Sequence, residues 1–114
     1  MLDAGIAIFN EGRHWHAHEA WEDLWKQLDA PDKDFVQGLI TAAALLVHYG
    51  RRNPLGVEKH WAKTQARLPA HAPTRWGIDI QGLLDQLRPY VESATRGADA
   101  MTLDPGAVRI RRRG

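Results

Sequence analysis

The chain has 114 residues, a formal net charge of +1, and 44% hydrophobic and 25% charged side chains. That size suits one domain with a single modest core, and the composition is that of a globular protein. There is no cysteine, which excludes disulfide frameworks, thiolate metal sites and cysteine nucleophiles and makes a reducing cytoplasm the expected setting.

The hydrophobic pattern is helical nearly throughout. Asp3 is placed to cap a first helix in which Leu2, Ile6 and Phe9 recur at spacings of 4 and 3, and Gly12 punctuates its end. A second helix is expected from about Arg13 to Leu28. On its wheel Leu24, Ala17, Leu28, Trp21, His14, Trp25 and His18 fill one arc, Glu22 lies just outside it, and His16 and Asp23 lie opposite. Asp29-Ala30-Pro31-Asp32 is the next break. A third helix, roughly Lys33 to Arg51, is apolar almost all round and is therefore expected at the centre of the fold. Its one polar stripe, Gln37, Thr41, Ala44 and His48, is spaced 4, 3 and 4. The apolar run inside it, Phe35 to Tyr49, is short of the ~20 residues that span a bilayer. The N-terminus also lacks the basic and apolar regions of a signal peptide.

Asn53-Pro54 reads as the N-cap and first position of a fourth helix. Val57, Trp61, Thr64 and Leu68 form its inner face, and Arg52, Lys59, Lys63 and Arg67 its outer face. After a loop from Pro69 to Pro73, Asp79 is a credible cap for a fifth helix with Ile80, Leu83, Leu84, Leu87, Val91 and Ala94 inward and a kink at Pro89. Helical periodicity is lost from Gly97 onward. Residues 1–96 are thus read as the helical domain and 97–114 as a basic tail, extended or disordered, in which Val108 and Ile110 alternate weakly before three arginines. The fold class is all-α: a compact single-domain bundle of about five helices around a buried third helix.

The ordered landmarks resemble the "domain of unknown function 309" family of small bacterial and archaeal helical proteins. They are Phe9-Asn10-Glu11-Gly12, His18-Glu19 with Trp21-Glu22 and Trp25, Gln37-Gly38-Leu39-Ile40 with Ala42-Ala43 and His48, Gly50-Arg51-Arg52-Asn53, Gly56-Val57, Leu68, and Gly77-Ile78-Asp79. The resemblance covers about residues 2 to 95 and implies a compact all-helical domain with no assigned activity. It departs at Thr41, where the family pattern often has a glutamine.

The candidate site lies between the second and third helices. His18 and Glu22 are one turn apart on one helix, with Gln37 and His48 from the next and Thr41, Trp21 and Trp25 as walls. Three readings stay open: a small-ligand or catalytic pocket, a divalent transition-metal site built from His14, His18, Glu22 and His48, or a structural hydrogen-bond network. The pattern is His-Glu-x-x-Glu, which lacks the second histidine of the metalloprotease motif. No phosphate loop or nucleophile elbow appears, so no reaction class is legible.

Charge is unevenly spread: −5 over residues 1–34, +5 over 35–78 and +1 over 79–114. Acidic and basic helices packed side by side account for this, as does a partner-binding face. Together with five tryptophans, it sets the expectation of a homo-oligomer, most simply a dimer, and of a scaffold or interaction module as the alternative function. Trp15 and Trp76 are the tryptophans best placed for an interface. Nucleic-acid binding by the Arg52, Lys59, Lys63 and Arg67 stripe and the arginine tail is disfavoured by the acidic N-terminal third and the absence of a recognition motif.

Overall fold

The protein is described by a computed structural model covering residues 2–113. Five helices follow one another: α1 Leu2–Asn10, α2 His14–Trp25, α3 Asp32–Gly50, α4 Pro54–Gln65 and α5 Ile80–Thr95. Two of the expected caps form. Asn53 Oδ1 accepts from Gly56 N at 3.2 Å with Pro54 opening α4, and Asp79 Oδ1 accepts from Gly82 N at 2.8 Å at the start of α5. Asp3 differs from expectation. Helix α1 already begins at Leu2, so Asp3 lies in the first turn, where its charge faces the positive end of the helix dipole. Helix α2 is shorter than its apolar arc suggested and ends at Trp25, with hydrogen-bonded turns carrying the chain on to Leu28. Pro89 lies inside α5, which continues to Thr95.

Helix α3 is the centre of the molecule. Every residue from Gly38 to Leu46 is buried, so all sides of the helix are covered for more than two turns. Its neighbours on either side are α2 and α4. Helix α1 covers α2, and the fit there depends on Gly5: a Cβ at that position would fall 2.1 Å from Trp21 Nε1. Trp21 is thereby fully buried, against Phe9, and its indole N–H donates to Leu2 O at 3.3 Å. Among the described residues, no helix is long and apolar enough to cross a membrane.

Between α4 and α5 the chain makes a short helical turn at Leu68–His71 and a two-residue hairpin, Thr74–Arg75 against Ile78–Asp79. Trp76 and Gly77 at its tip both have positive φ, +52° and +74°, as the tight turn of a right-twisted hairpin requires. A polar chain ties this region to the start of α3. Arg75 pairs with Asp32 and donates to His71 Nδ1 at 3.0 Å, and His71 Nε2 donates to Asp34 Oδ2 at 3.1 Å. Arg67 lies 3.4 Å from the other Asp34 oxygen.

Residues 97–113 lie along the bundle. Met101, Val108 and Ile110 are buried in the core, and Arg112 bridges to Ile78 as an extra short strand beside the hairpin. Asn10 pins this arm from α1: its amide donates to Ile110 O at 2.9 Å and its Oδ1 accepts from Ile110 N at 2.7 Å. Asn10→Ala leaves both Ile110 backbone groups without that partner. The expected cost is about 1–3 kcal/mol, read by urea unfolding, with faster hydrogen exchange at the Ile110 amide. Unchanged protection at Ile110 would show that Asn10 does not hold the arm.

Candidate functional site

The polar stripe of α3 faces the groove between α2 and α4. There Gln37, Thr41 and Ala44, with Ile40, floor a cleft of about 370 Å³. Helix α2 supplies one wall: His18, Glu22, Trp25 and Lys26, at the helical spacings that put them on one side. Helix α4 supplies the other with His60 and Lys63. The acidic and basic stretches of the sequence thus face one another across α3, and their charges are not paired over the cleft. Among the described residues Lys26 and Lys63 have no carboxylate partner.

On the α2 wall, His18 stacks face to face on Trp15, with ring centroids 5.2 Å apart and planes at 10°. His18 Nδ1 is buried. The atom lies 3.2 Å from Glu22 Oε1 but out of hydrogen-bond alignment, so it is close to the carboxylate and still without a partner. On the α4 wall, His60 Nδ1 donates to Gly56 O at 2.8 Å, because a carbonyl can only accept. His60 also stacks on His48, at 4.8 Å and 23°. The pair fits against α4 only because position 56 is glycine: a Cβ there would fall 2.4 Å from His48 Nδ1. Burial, then the neighbouring His48, Lys63 and Lys59, hold His60 below the ordinary histidine pKa, against the opposing pull of the Gly56 carbonyl. Burial, then Arg51 and Lys59, lower His48 in the same way. Both shifts favour the neutral ring.

Of the residues expected at the site, His18, Glu22, Gln37, Thr41 and Trp25 line the one cleft. His48 sits behind His60 and reaches the cleft only through it. Trp21 is core and makes no wall, since the close approach of α1 at Gly5 takes its indole inward. His14 lies on a different surface, packed edge-on against Phe9 and lining a shallow groove with Gly12, Trp15, Val47 and Pro105. Accordingly His14, His18, Glu22 and His48 do not converge. Among the described residues, no three histidine or carboxylate side chains are grouped so as to hold a metal ion. Nor do hydrogen bonds join the expected set into one network. Thr41 Oγ1 donates to Gly38 O and pairs with Thr64 Oγ1, both at 2.9 Å, and His48 Nδ1 pairs with the Asn53 amide at 3.2 Å.

His60 and Lys63 were not read as site residues from the sequence. The helical spacing puts Lys63 on the outer face of α4. The signal for His60 was present, because Val57, His60 and Thr64 are spaced 3 and 4 and share the inner face of that helix.

The sequence profile described as "Domain of unknown function (DUF309)" matches residues 2–60 of the chain. The chain belongs to this family. The DUF309 segment runs from α1 into α4 and contains every cleft residue except Lys63, whereas the hairpin, α5 and the C-terminal arm lie beyond it. No curated protein and no solved structure gives a match.

Outside the cleft, His14 is the most perturbed histidine of this DUF309 chain. It is buried, its Nε2 has no partner, and its pKa is pushed down to about 4 by burial, helped by Arg109 and opposed by Asp104. The unfolded chain takes up a proton there near pH 6.5, while the folded chain resists down to about 4. Stability attributable to His14 is therefore complete above pH 6.5, falls as the pH drops below that value, and levels off below about 4. His14→Leu should flatten this acid limb, with up to about one proton fewer taken up on unfolding. Urea unfolding of both forms at pH 7 and pH 5 checks it, and equal pH dependence in the two would count against it.

Proposed function

We propose that the cleft between α2, α3 and α4 binds a small polar ligand. The observation that carries this reading is the unspent polar capacity at its surface: among the described residues, His18 Nδ1 is buried beside Glu22 without a hydrogen bond, and Lys26 and Lys63 have no carboxylate partner. A polar cluster that existed only to fix helix register would satisfy its buried members internally, since an unpaired buried group costs about 1–3 kcal/mol. The volume suits a metabolite-sized molecule, because ligand clefts begin at about 300 Å³. The apolar floor of Ile40 and Ala44 with the Trp25 wall offers a surface to a carbon skeleton, and the polar groups around it supply orientation.

A fragment library of mixed charge, followed by 1H–15N NMR, tests the reading. Hits should shift the Gln37 side-chain amide and the α2 and α4 amides around the cleft. Gln37→Ala should weaken those hits about tenfold and Glu22→Gln should change them by a similar factor, tighter for anions and weaker for cations, while both change folding stability by no more than about 0.5 kcal/mol. If no fragment moves the cleft resonances, or if both variants bind as the parent does, the cleft is not a binding site. A loss of about 1–3 kcal/mol of stability in the two variants with no effect on binding would identify a structural cluster.

A further inference from the structure

The protonation pattern of the α4 wall narrows the ligand class. Asn53 Oδ1 is engaged by Gly56 N, so the amide nitrogen of Asn53 is the group that meets His48 Nδ1, at 3.2 Å, and it donates there. His48 Nδ1 is therefore a lone pair, and its proton is on Nε2. His60 is the opposite tautomer. Its Nδ1–H is committed to Gly56 O at 2.8 Å, which leaves Nε2 as a lone-pair acceptor. Gly56 thus acts on both rings, its N–H through Asn53 and its carbonyl directly. The His60 ring lines the cleft on the same helix wall as Lys63.

The charges complete the pattern. Among the described residues, Lys63 on α4 and Lys26 on α2 are both without a carboxylate partner at the cleft, and Glu22 is the one lining carboxylate, with His18 beside it at 3.2 Å. The nearest carboxylate beyond the cleft on α3, Asp34, is already engaged by His71 and Arg67. The lining therefore asks for a negative group between the lysines and a hydrogen-bond donor toward His60. A volume of about 370 Å³ is roughly a dozen waters at ~30 Å³ each, room for a small metabolite.

We infer that the cleft takes a small hydroxylated oxyanion, a carboxylate or a phosphate ester, with the anion held by Lys63 and Lys26 and a hydroxyl donated to His60 Nε2. This rests on the reading of the cleft as a binding site. The test is a 1H–15N NMR titration at constant ionic strength with four probes: acetate, glycolate, inorganic phosphate and glycerol 2-phosphate. The carboxylate and phosphate pairs separate the two sources of the anion. Within the preferred pair, the hydroxylated probe should bind about threefold tighter than the plain one, the worth of a neutral hydrogen bond. Lys63→Gln and Lys26→Gln should each weaken it about tenfold, and Lys59→Gln, outside the cleft, should not. His60→Asn, whose amide can still donate to Gly56 O, should erase the advantage of the hydroxyl and leave anion binding in place. If all four probes leave the cleft unmoved while neutral or cationic fragments bind it, the site stands and the oxyanion assignment falls. If molecules of no charge type bind, both fall. Equal binding of hydroxylated and plain anions overturns the role of His60, and insensitivity to both lysine variants overturns the anion site.

Discussion

Helix α3 exposes so little of itself that the rest of the fold is arranged to cover it. Continuous burial from Gly38 to Leu46 means that a helix must lie on each side, and the small residues Gly38, Ala42, Ala43 and Ala44 let those helices come close. Close approach has a geometric consequence. Where α2 and α4 both contact α3, their own outer residues face each other across it, and the α3 stripe between them becomes the floor of a groove. The cleft is thus a by-product of packing two helices on one central helix, given polar character by His18 and Glu22 on one side and His60 and Lys63 on the other.

The histidines show how one residue type is steered to different states by its surroundings. His14 is buried among apolar neighbours near Arg109 and stays neutral well into the acid range. His71 is also buried but lies between Asp34 and Arg75, which fix its tautomer and make it part of the tie between α3 and the hairpin. His48 and His60 are stacked, and hydrogen bonds to Asn53 and Gly56 set their tautomers in opposite senses. His18 is covered by Trp15 and keeps a buried nitrogen without a partner. None of these states follows from the residue alone, because each depends on which carbonyl, amide or cation the fold brings within about 3 Å.

Much of the architecture was legible in local pattern. The five helices, the caps at Asn53 and Asp79 and the central place of α3 come from periodicity, capping chemistry and apolar content, which act over a few residues of chain. The stripe Gln37, Thr41 and Ala44 faced the cleft for the same reason, since residues at spacings of 4 and 3 share a helix face. What periodicity could not reveal was depth. Trp21 and Trp25 are one turn apart on the same arc. The first is core because a glycine on α1 admits it, and the second lines the cleft with Lys33 Nζ over its ring at 4.1 Å.

The sequence by itself therefore determined which segments are helices, where α4 and α5 start, and most of the faces turned inward, because those outcomes depend on nearest neighbours along the chain. Tertiary structure decided which faces meet. It put His60 and Lys63 opposite His18 and Glu22, sent His14 and His48 away from that meeting point, and laid Val108 and Ile110 of the C-terminal arm into the core under the grip of Asn10, a hundred residues away. These are contacts between segments far apart in sequence. Their energies come from surfaces that fit only when all five helices are in place, and a pattern read along one segment at a time holds no record of them.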